Sequence, residues 1–284
     1  MEGQKWEELN MDCLVNVFGR VGMESLLLDV PFVCKSWYKA AVDPRCWEVL
    51  IFPNIDPDSW YDDDSLTSRL KYEYQVQGEF PVTAFIKFVV NRSCRSATTL
   101  VLPSCCTEEA LFYVAEECPA LKILLLPNCL SDDIMLKFPS LISKWKNLEQ
   151  LRLGSSINMQ EILAQINLHC NNFVGIRVSG GCYIGEEETL AIVTSLPNIK
   201  YLFLTRAYLE RENLVKILQG CKELVYFDVS DCKGFEEGDE EIIKLASHIR
   251  TFKDEGSSYD DYDDYMETIT SRDACLFDDE YCSD

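Results

Sequence analysis

Fourteen cysteines and two histidines, His169 and His248, are the side chains with which this sequence could do the most chemistry. They could build a disulfide framework, a zinc site or a nucleophilic thiolate. Their spacing favours none of the three. No Cys-x-x-Cys pair occurs, and imidazole ligands are scarce. Glu2, Glu7 and Glu8 stand where a signal peptide would carry basic residues ahead of an apolar run. The expectation is a soluble intracellular chain whose thiols stay reduced and pack as small hydrophobes. Phosphate-loop and nucleophile-elbow motifs are missing too. The sequence therefore nominates no catalytic residue, no metal ligand and no cofactor, and an enzyme is not expected.

Six cysteines are instead in phase with a repeat. An apolar-x-x-apolar-x-apolar pattern runs through Ala97–Leu102, Leu121–Leu126, Leu148–Leu153, Phe173–Val178, Ile199–Leu204 and Leu224–Val229, with a weaker copy at Ile249–Phe252. Its fourth positions fall at 100, 124, 151, 176, 202, 227 and 252. Steps of roughly 25 residues are the period of leucine-rich repeats. Cys105, Cys129 and Cys232 each follow the last strand position by three, while Cys118, Cys170 and Cys221 each precede the first by three. Helical spacing of apolar residues fills the intervals: Leu111, Val114 and Ala115; Ile162, Leu163 and Ile166; Leu190, Val193 and Thr194; Leu214, Ile217 and Leu218. Acids open these helices at Glu108-Glu109, Glu186–Glu188 and Asp239–Glu241, where the helix dipole favours them.

Strand, turn, helix and return make one coil, and a coil buries its apolar face only by stacking. The fold expected is α/β. The repeat, with its Cys118-Pro119-x-Leu121 joint, resembles the cysteine-containing leucine-rich repeats of F-box proteins over residues 82–253. The resemblance implies a right-handed solenoid of about seven coils.

Residues 1–50 form a separate module. Leu14, Val17, Phe18 and Val21 recur at helical spacing, Gly22 interrupts, and Leu26-Leu27-Leu28 follows. Pro31 suits the first turn of a helix lined by Val33, Trp37, Ala40 and Ala41, with Trp47 and Leu50 as a last apolar turn. The order Leu9-Asn10, Leu14, Val17-Phe18, Leu26-Leu27, Val33-Cys34-Lys35-Ser36-Trp37 and Pro44-Arg45-Cys46-Trp47 resembles a three-helix F-box, with Asn10 in place of the usual proline. Followed by such repeats, it resembles plant F-box/leucine-rich-repeat proteins. That resemblance implies an adaptor role. The F-box would bind a Skp adaptor, bridging to a cullin, through Leu9, Leu14, Phe18, Leu26, Val33, Cys34 and Trp37 as contact or supporting residues. The solenoid would bind a target protein for ubiquitination. For Trp37 and Trp47, packing within the module is an equal alternative. A leucine-rich scaffold or inhibitor without ubiquitin transfer is the rival function.

With first, fourth and sixth strand positions inward, the third and fifth are left on the opposite face. Tyr201, Phe203 and Tyr226 beside Arg152, Arg177 and Asp228 then form a candidate target-binding face, its aromatic and arginine content being typical of hot spots. The same aromatics could instead stabilise neighbouring strands as cross-strand pairs. Residues 51–81 are expected to link the parts, with Trp60–Asp64 an exposed loop and Arg69–Gln77 pairing with or capping the first coil. Net charge of −22 disfavours nucleic-acid binding, and no apolar run is long enough for a membrane helix. Residues 254–284 hold twelve acids against Arg272 alone, the composition of a disordered tail. Nucleus, cytoplasm or both are the expected locations.

Overall fold

The computed structural model describes residues 9–53, 65–178 and 181–259. The stretch Trp60–Asp64 and the acidic tail from residue 260 lie outside them. Helices α1 (Met11–Phe18), α2 (Met23–Leu28), α3 (Val30–Val33) and α4 (Lys35–Ala41) open the chain, followed by a 3₁₀ turn at Pro44–Trp47. Next come β1 (Val49–Ile51), α5 (Leu66–Glu73), α6 (Val82–Arg92), β2 (Thr99–Val101), α7 (Glu108–Glu117) and β3 (Ile123–Leu125). Then follow α8 (Asp132–Lys137), α9 (Pro139–Ile142), β4 (Gln150–Leu153), α10 (Met159–His169), β5 (Gly175–Val178) and β6 (Tyr183–Ile184). The described chain closes with α11 (Glu186–Ser195), β7 (Tyr201–Phe203), β8 (Tyr208–Leu209), α12 (Arg211–Gly220), β9 (Tyr226–Asp228), α13 (Glu240–Ala246) and β10 (Thr251–Lys253). Contacts divide the chain into two compact units.

The first unit holds the described parts of Met1–Pro127 with Lys137–Leu151 and Leu168–Phe173. Asn10 caps α1, its side-chain oxygen accepting from the Asp12 N–H at 3.0 Å. Leu14, Val15 and Phe18 are buried, and Leu26, Leu27 and Leu28 of α2 join them. The helix expected from Pro31 to Ala41 is broken at Cys34, whose extended backbone (φ −162°, ψ 172°) separates α3 from α4. The break puts Val33 out of phase with Ala40 and Ala41. Those two are fully buried, whereas Val33 is 54% exposed. Trp47 is buried, and its indole N–H donates to the Ala41 carbonyl at 2.7 Å.

Leu50 belongs to no helical turn. It is the centre of β1, which pairs in parallel with β2 through Val49–Thr99, Leu50–Leu100 and Ile51–Val101. The sequence Val49-Leu50-Ile51 satisfies an extended period as well as a helical one, and the neighbouring strand decides between them. β2 pairs β3 in the same sense, Leu100 opposite Leu124. Helix α5 does not cap a coil by pairing. It packs on α2: Arg69 binds Glu24 and reaches Asp29 at 3.0 Å, and the Tyr74 hydroxyl donates to the Leu27 carbonyl at 3.0 Å. The Tyr74 ring also meets Phe88 of α6, centroids 5.7 Å apart.

The second unit holds Asn128–Leu136, Arg152–Asn167 and the described residues from Val174 onward. Its parallel ladder runs β5, β7, β9, β10, with Gly175, Tyr201, Tyr226 and Thr251 on one line and Arg177, Phe203, Asp228 and Lys253 on another. Past the strands a second ribbon pairs β6 with β8 and continues as single bridges from Tyr208 to Lys233 and from Lys233 to Ser258. Each of the seven fourth positions lies in a strand. First, fourth and sixth positions such as Ile199, Leu202 and Leu204 are almost completely buried. Each such leucine or isoleucine contributes about 1.5–3 kcal/mol of transfer free energy.

Two expectations shift in this unit. Helix α11 buries Thr189, Ala191 and Ile192, while Leu190 is 60% exposed. Both stripes fit a helical period, and Val193 of the expected stripe is half-buried against Gly220 of α12. Residues 254–259 are folded rather than part of a tail. Ser257 is buried, donates to the Val229 carbonyl at 2.8 Å and accepts from the Cys232 N–H at 3.2 Å.

Gly234 shows how tightly successive turns stack. Its φ is +106°, and an added Cβ would stand 2.7 Å from the Leu209 carbonyl oxygen. Gly234→Ala is expected to cost about 1–3 kcal/mol, combining left-handed strain with a backbone clash. Urea denaturation with an unchanged midpoint would contradict that close approach.

Candidate binding surfaces

Two surfaces emerge from this framework. On the N-terminal module, Leu14, Phe18 and Leu26 are enclosed and serve as support for the helices. Leu9, Cys34 and Trp37 are half-buried. The Trp37 ring meets Phe18 edge-on at 5.1 Å, so it fastens α4 to α1. Its Nε1 is enclosed yet meets no acceptor among the described residues. Of the seven nominated residues only Val33 is largely open. Sequence spacing missed its exposed companions: Met11, Val17 and Val21 by α1, with Phe32 at 59% and Tyr38 at 53% exposure. Helical spacing puts Val17 and Val21 with Leu14 and Phe18, but α1 turns Leu14, Val15 and Phe18 inward instead.

A second surface lies on the ladder of the second unit. The Arg177 guanidinium sits 4.3 Å from the Phe203 ring centroid, Phe203 packs on Tyr226 at 5.0 Å, and Lys253 Nζ stands 5.7 Å from the Tyr226 ring. Parallel register aligns these groups, because each occupies the same or the neighbouring outward position of successive strands. Aromatic rings between two cations gain about 0.5–1 kcal/mol per contact at exposed sites. Tyr226 also holds Lys253 above the ordinary lysine range, chiefly by hydrogen bonding.

Tyr201 is the open member of the set, at 37% exposure. Asp228, by contrast, is 8% exposed, accepting from the Ser230 N–H at 3.0 Å and from its hydroxyl at 2.7 Å. It stiffens the turn after β9. Arg152 lies one strand earlier and donates to the Asn128 side chain at 3.0 Å. On the second ribbon Tyr183 stacks on Tyr208, centroids 5.7 Å apart and planes 16° apart. This pair was not nominated from the pattern. The repeat spacing hid it: Tyr183 follows Val178 by five and Tyr208 follows Leu204 by four, and only the pairing of β6 with β8 aligns them.

No protein-family model matches the chain. An F-box/LRR-repeat protein of Arabidopsis thaliana is 30% identical over 242 residues, covering 80% of this chain and 72% of that protein. The chain belongs to the F-box/LRR-repeat family. Two further Arabidopsis thaliana proteins resemble it at lower identity. The F-box protein SKIP1 is 24% identical over 89% of this chain and 87% of its own length. Putative F-box/LRR-repeat protein 23 is 23% identical over 81% of this chain, which spans about half of it (48%).

Seven thiols of this F-box/LRR chain are buried among the described residues, at Cys46, Cys106, Cys118, Cys170, Cys182, Cys221 and Cys232. Cys118, Cys170 and Cys221, the positions before the strand, are all buried. After the strand only Cys232 is; Cys105 is half-buried and Cys129 is exposed. Cys170 lies 3.4 Å from the Trp145 carbonyl and Cys232 2.9 Å from the Leu204 carbonyl. Burial pushes the Cys118 and Cys232 thiols up to about 12, and those of Cys170 and Cys221 to about 11. Nucleophiles and metal ligands must be thiolates, so these four are poorly suited to either task at neutral pH.

Folded values above the ordinary 9.0 mean that the unfolded chain gives up thiol protons first. Stability from these groups is complete below about pH 9 and declines from there to about pH 12. The urea midpoint is expected to fall between about pH 8.5 and pH 10.5, and to fall less steeply in a Cys118→Ala, Cys232→Ala variant. Equal slopes in the two proteins would show that other groups govern the alkaline limb.

Proposed function

We propose that this chain is the target-recognising subunit of a Skp–cullin–F-box ubiquitin ligase. It performs no chemistry itself. The F-box at its N-terminus holds the Skp adaptor, and through it a cullin. Seven coils of a right-handed leucine-rich solenoid then present a target protein to the ubiquitin-conjugating machinery. The observation that carries this reading is the pairing of two surfaces. One is a small helical module with Val33, Phe32 and Tyr38 left open. The other is a strand face lined by Arg177, Phe203 and Tyr226. A module of about 45 residues gains from a partner that covers its apolar surface. Aromatic and arginine side chains are what protein-recognition hot spots use. The boundaries that go with it are residues 1–50 for the F-box, 51–81 for the linker and 82–253 for the solenoid. Nucleus, cytoplasm or both are its place of work.

A leucine-rich scaffold or inhibitor that holds its target without ubiquitin transfer is the second reading. Discrimination requires a substitution that spares the fold, which excludes Leu14→Asp because Leu14 is 1% exposed. Val33→Asp is expected to weaken binding of the Skp adaptor at least tenfold, about 1.4 kcal/mol, with an unchanged melting temperature. Failure of the unsubstituted chain to bind the adaptor would favour the scaffold, and adaptor binding that survives Val33→Asp with Phe32→Ala would remove these residues from the contact surface. On the other face, Tyr201→Ala with Phe203→Ala is expected to release the target while adaptor binding stays intact. Affinity capture from cells reads the target arm with Val33→Asp present, so that bound targets are not degraded, and the adaptor arm with Val33 restored.

A further inference from the structure

The strand face of the second unit is electrically unlike the rest of the chain. Among the outward positions of β5, β7, β9 and β10, together with Arg152 of β4, there are three cations, Arg152, Arg177 and Lys253, against the single acid Asp228. That acid is buried and already satisfied by Ser230. The whole chain carries −22. Cations beside the exposed ring of Tyr201 and the half-exposed ring of Phe203 make a face suited to an acidic segment that also bears aromatic side chains.

Such a segment is covalently attached. Residues 260–284 hold ten acids and one base, Arg272, interspersed with Tyr262, Tyr265, Phe277 and Tyr281. The described chain delivers them at the correct edge. It leaves β10 at Lys253 and makes its last bridge at Ser258, whose hydroxyl accepts from Lys233 at 2.6 Å. From β10 to β5 is three strand spacings, about 15 Å, which about five extended residues would cover. Tethering at that range gives an effective concentration on the order of millimolar, so a contact that is weak between separate molecules is largely closed within one.

We propose that residues 260–284 act as a built-in ligand for this face, setting carboxylates against Arg177 and Lys253 and rings beside Tyr201. The tail then competes with the target. That regulatory consequence, though not the docking itself, rests on the face being the target site assigned under the proposed function.

The test uses the full-length chain. A fluorescein-labelled peptide of residues 260–284 is titrated by fluorescence anisotropy against the wild type and against a variant with a neutralised tail (D260N, D261N, D263N and D264N with Y262A and Y265A). The variant, its face vacated, is expected to bind the peptide about tenfold tighter. Binding should weaken as salt rises from about 50 to about 500 mM. Adding Phe203→Ala and Tyr226→Ala, or Arg177→Glu and Lys253→Glu should those aromatics prove necessary for folding, should abolish it. Equal affinity for both proteins, no binding to either, equal binding of a scrambled peptide, or indifference to the face substitutions would each overturn the proposal. Adaptor and target capture do not enter this measurement, so the outcomes separate cleanly. If the peptide behaves as expected while Tyr201→Ala with Phe203→Ala leaves target capture intact, the face belongs to the tail and the target binds elsewhere.

Discussion

A strand of three or four residues cannot hold itself in place, and every strand here is that short or shorter. What holds each one is its neighbour. Parallel hydrogen bonds tie it laterally, and its inward apolar positions are buried against the helices of its own and adjacent coils. Leu100, Leu124, Leu202 and Phe227 have no exposed surface at all. Remove one coil and two others lose a wall, which is why stability in such proteins is a sum over neighbour interfaces. The outward positions are freed from any duty to the core. That freedom allows Phe203 and Tyr226 to lie between two cations without disturbing the ladder.

The helical module obeys a different constraint. It is too small to enclose all of its apolar residues, and the break at Cys34 decides which ones stay out. A continuous helix would have turned Val33 toward Ala40 and Ala41. The extended residue instead leaves Phe32 and Val33 facing outward. Helix α5 then fastens the module from the side through Arg69 and Tyr74. The ion pairs are exposed and contribute little individually. Tyr74, whose hydroxyl reaches the Leu27 carbonyl and whose ring meets Phe88, adds a part-buried contact to that fastening.

Much of this was legible in the residues alone, for a physical reason. Strand positions in a stacked coil are dictated by burial, so Leu100, Leu124, Leu151, Ile176, Leu202 and Phe227 announce themselves by type and interval. The inward thiols at Cys118, Cys170 and Cys221 did so as well. What stayed hidden depended on a choice between two acceptable periods. Val49-Leu50-Ile51 could be a turn of helix or a strand, and the partner at Thr99–Val101 settled it. Helix α11 could bury Leu190 or Ile192, and its local spacing does not separate the two stripes. Asp228 carries no sequence mark of its burial, because the hydroxyl that satisfies it lies across a turn.

Strand β1 carries a practical consequence. A row of unpaired backbone groups along a sheet margin is a template on which foreign strands can add. β1 takes that marginal position beside β2, and it is three residues long, with Pro53 shortly beyond it lacking an N–H to offer. Cutting away the helical module at residue 50 would strip most of this cover and leave Thr99–Val101 open to other polypeptides. Self-association in such a shortened protein would then report a sheared margin, not a property of the intact molecule.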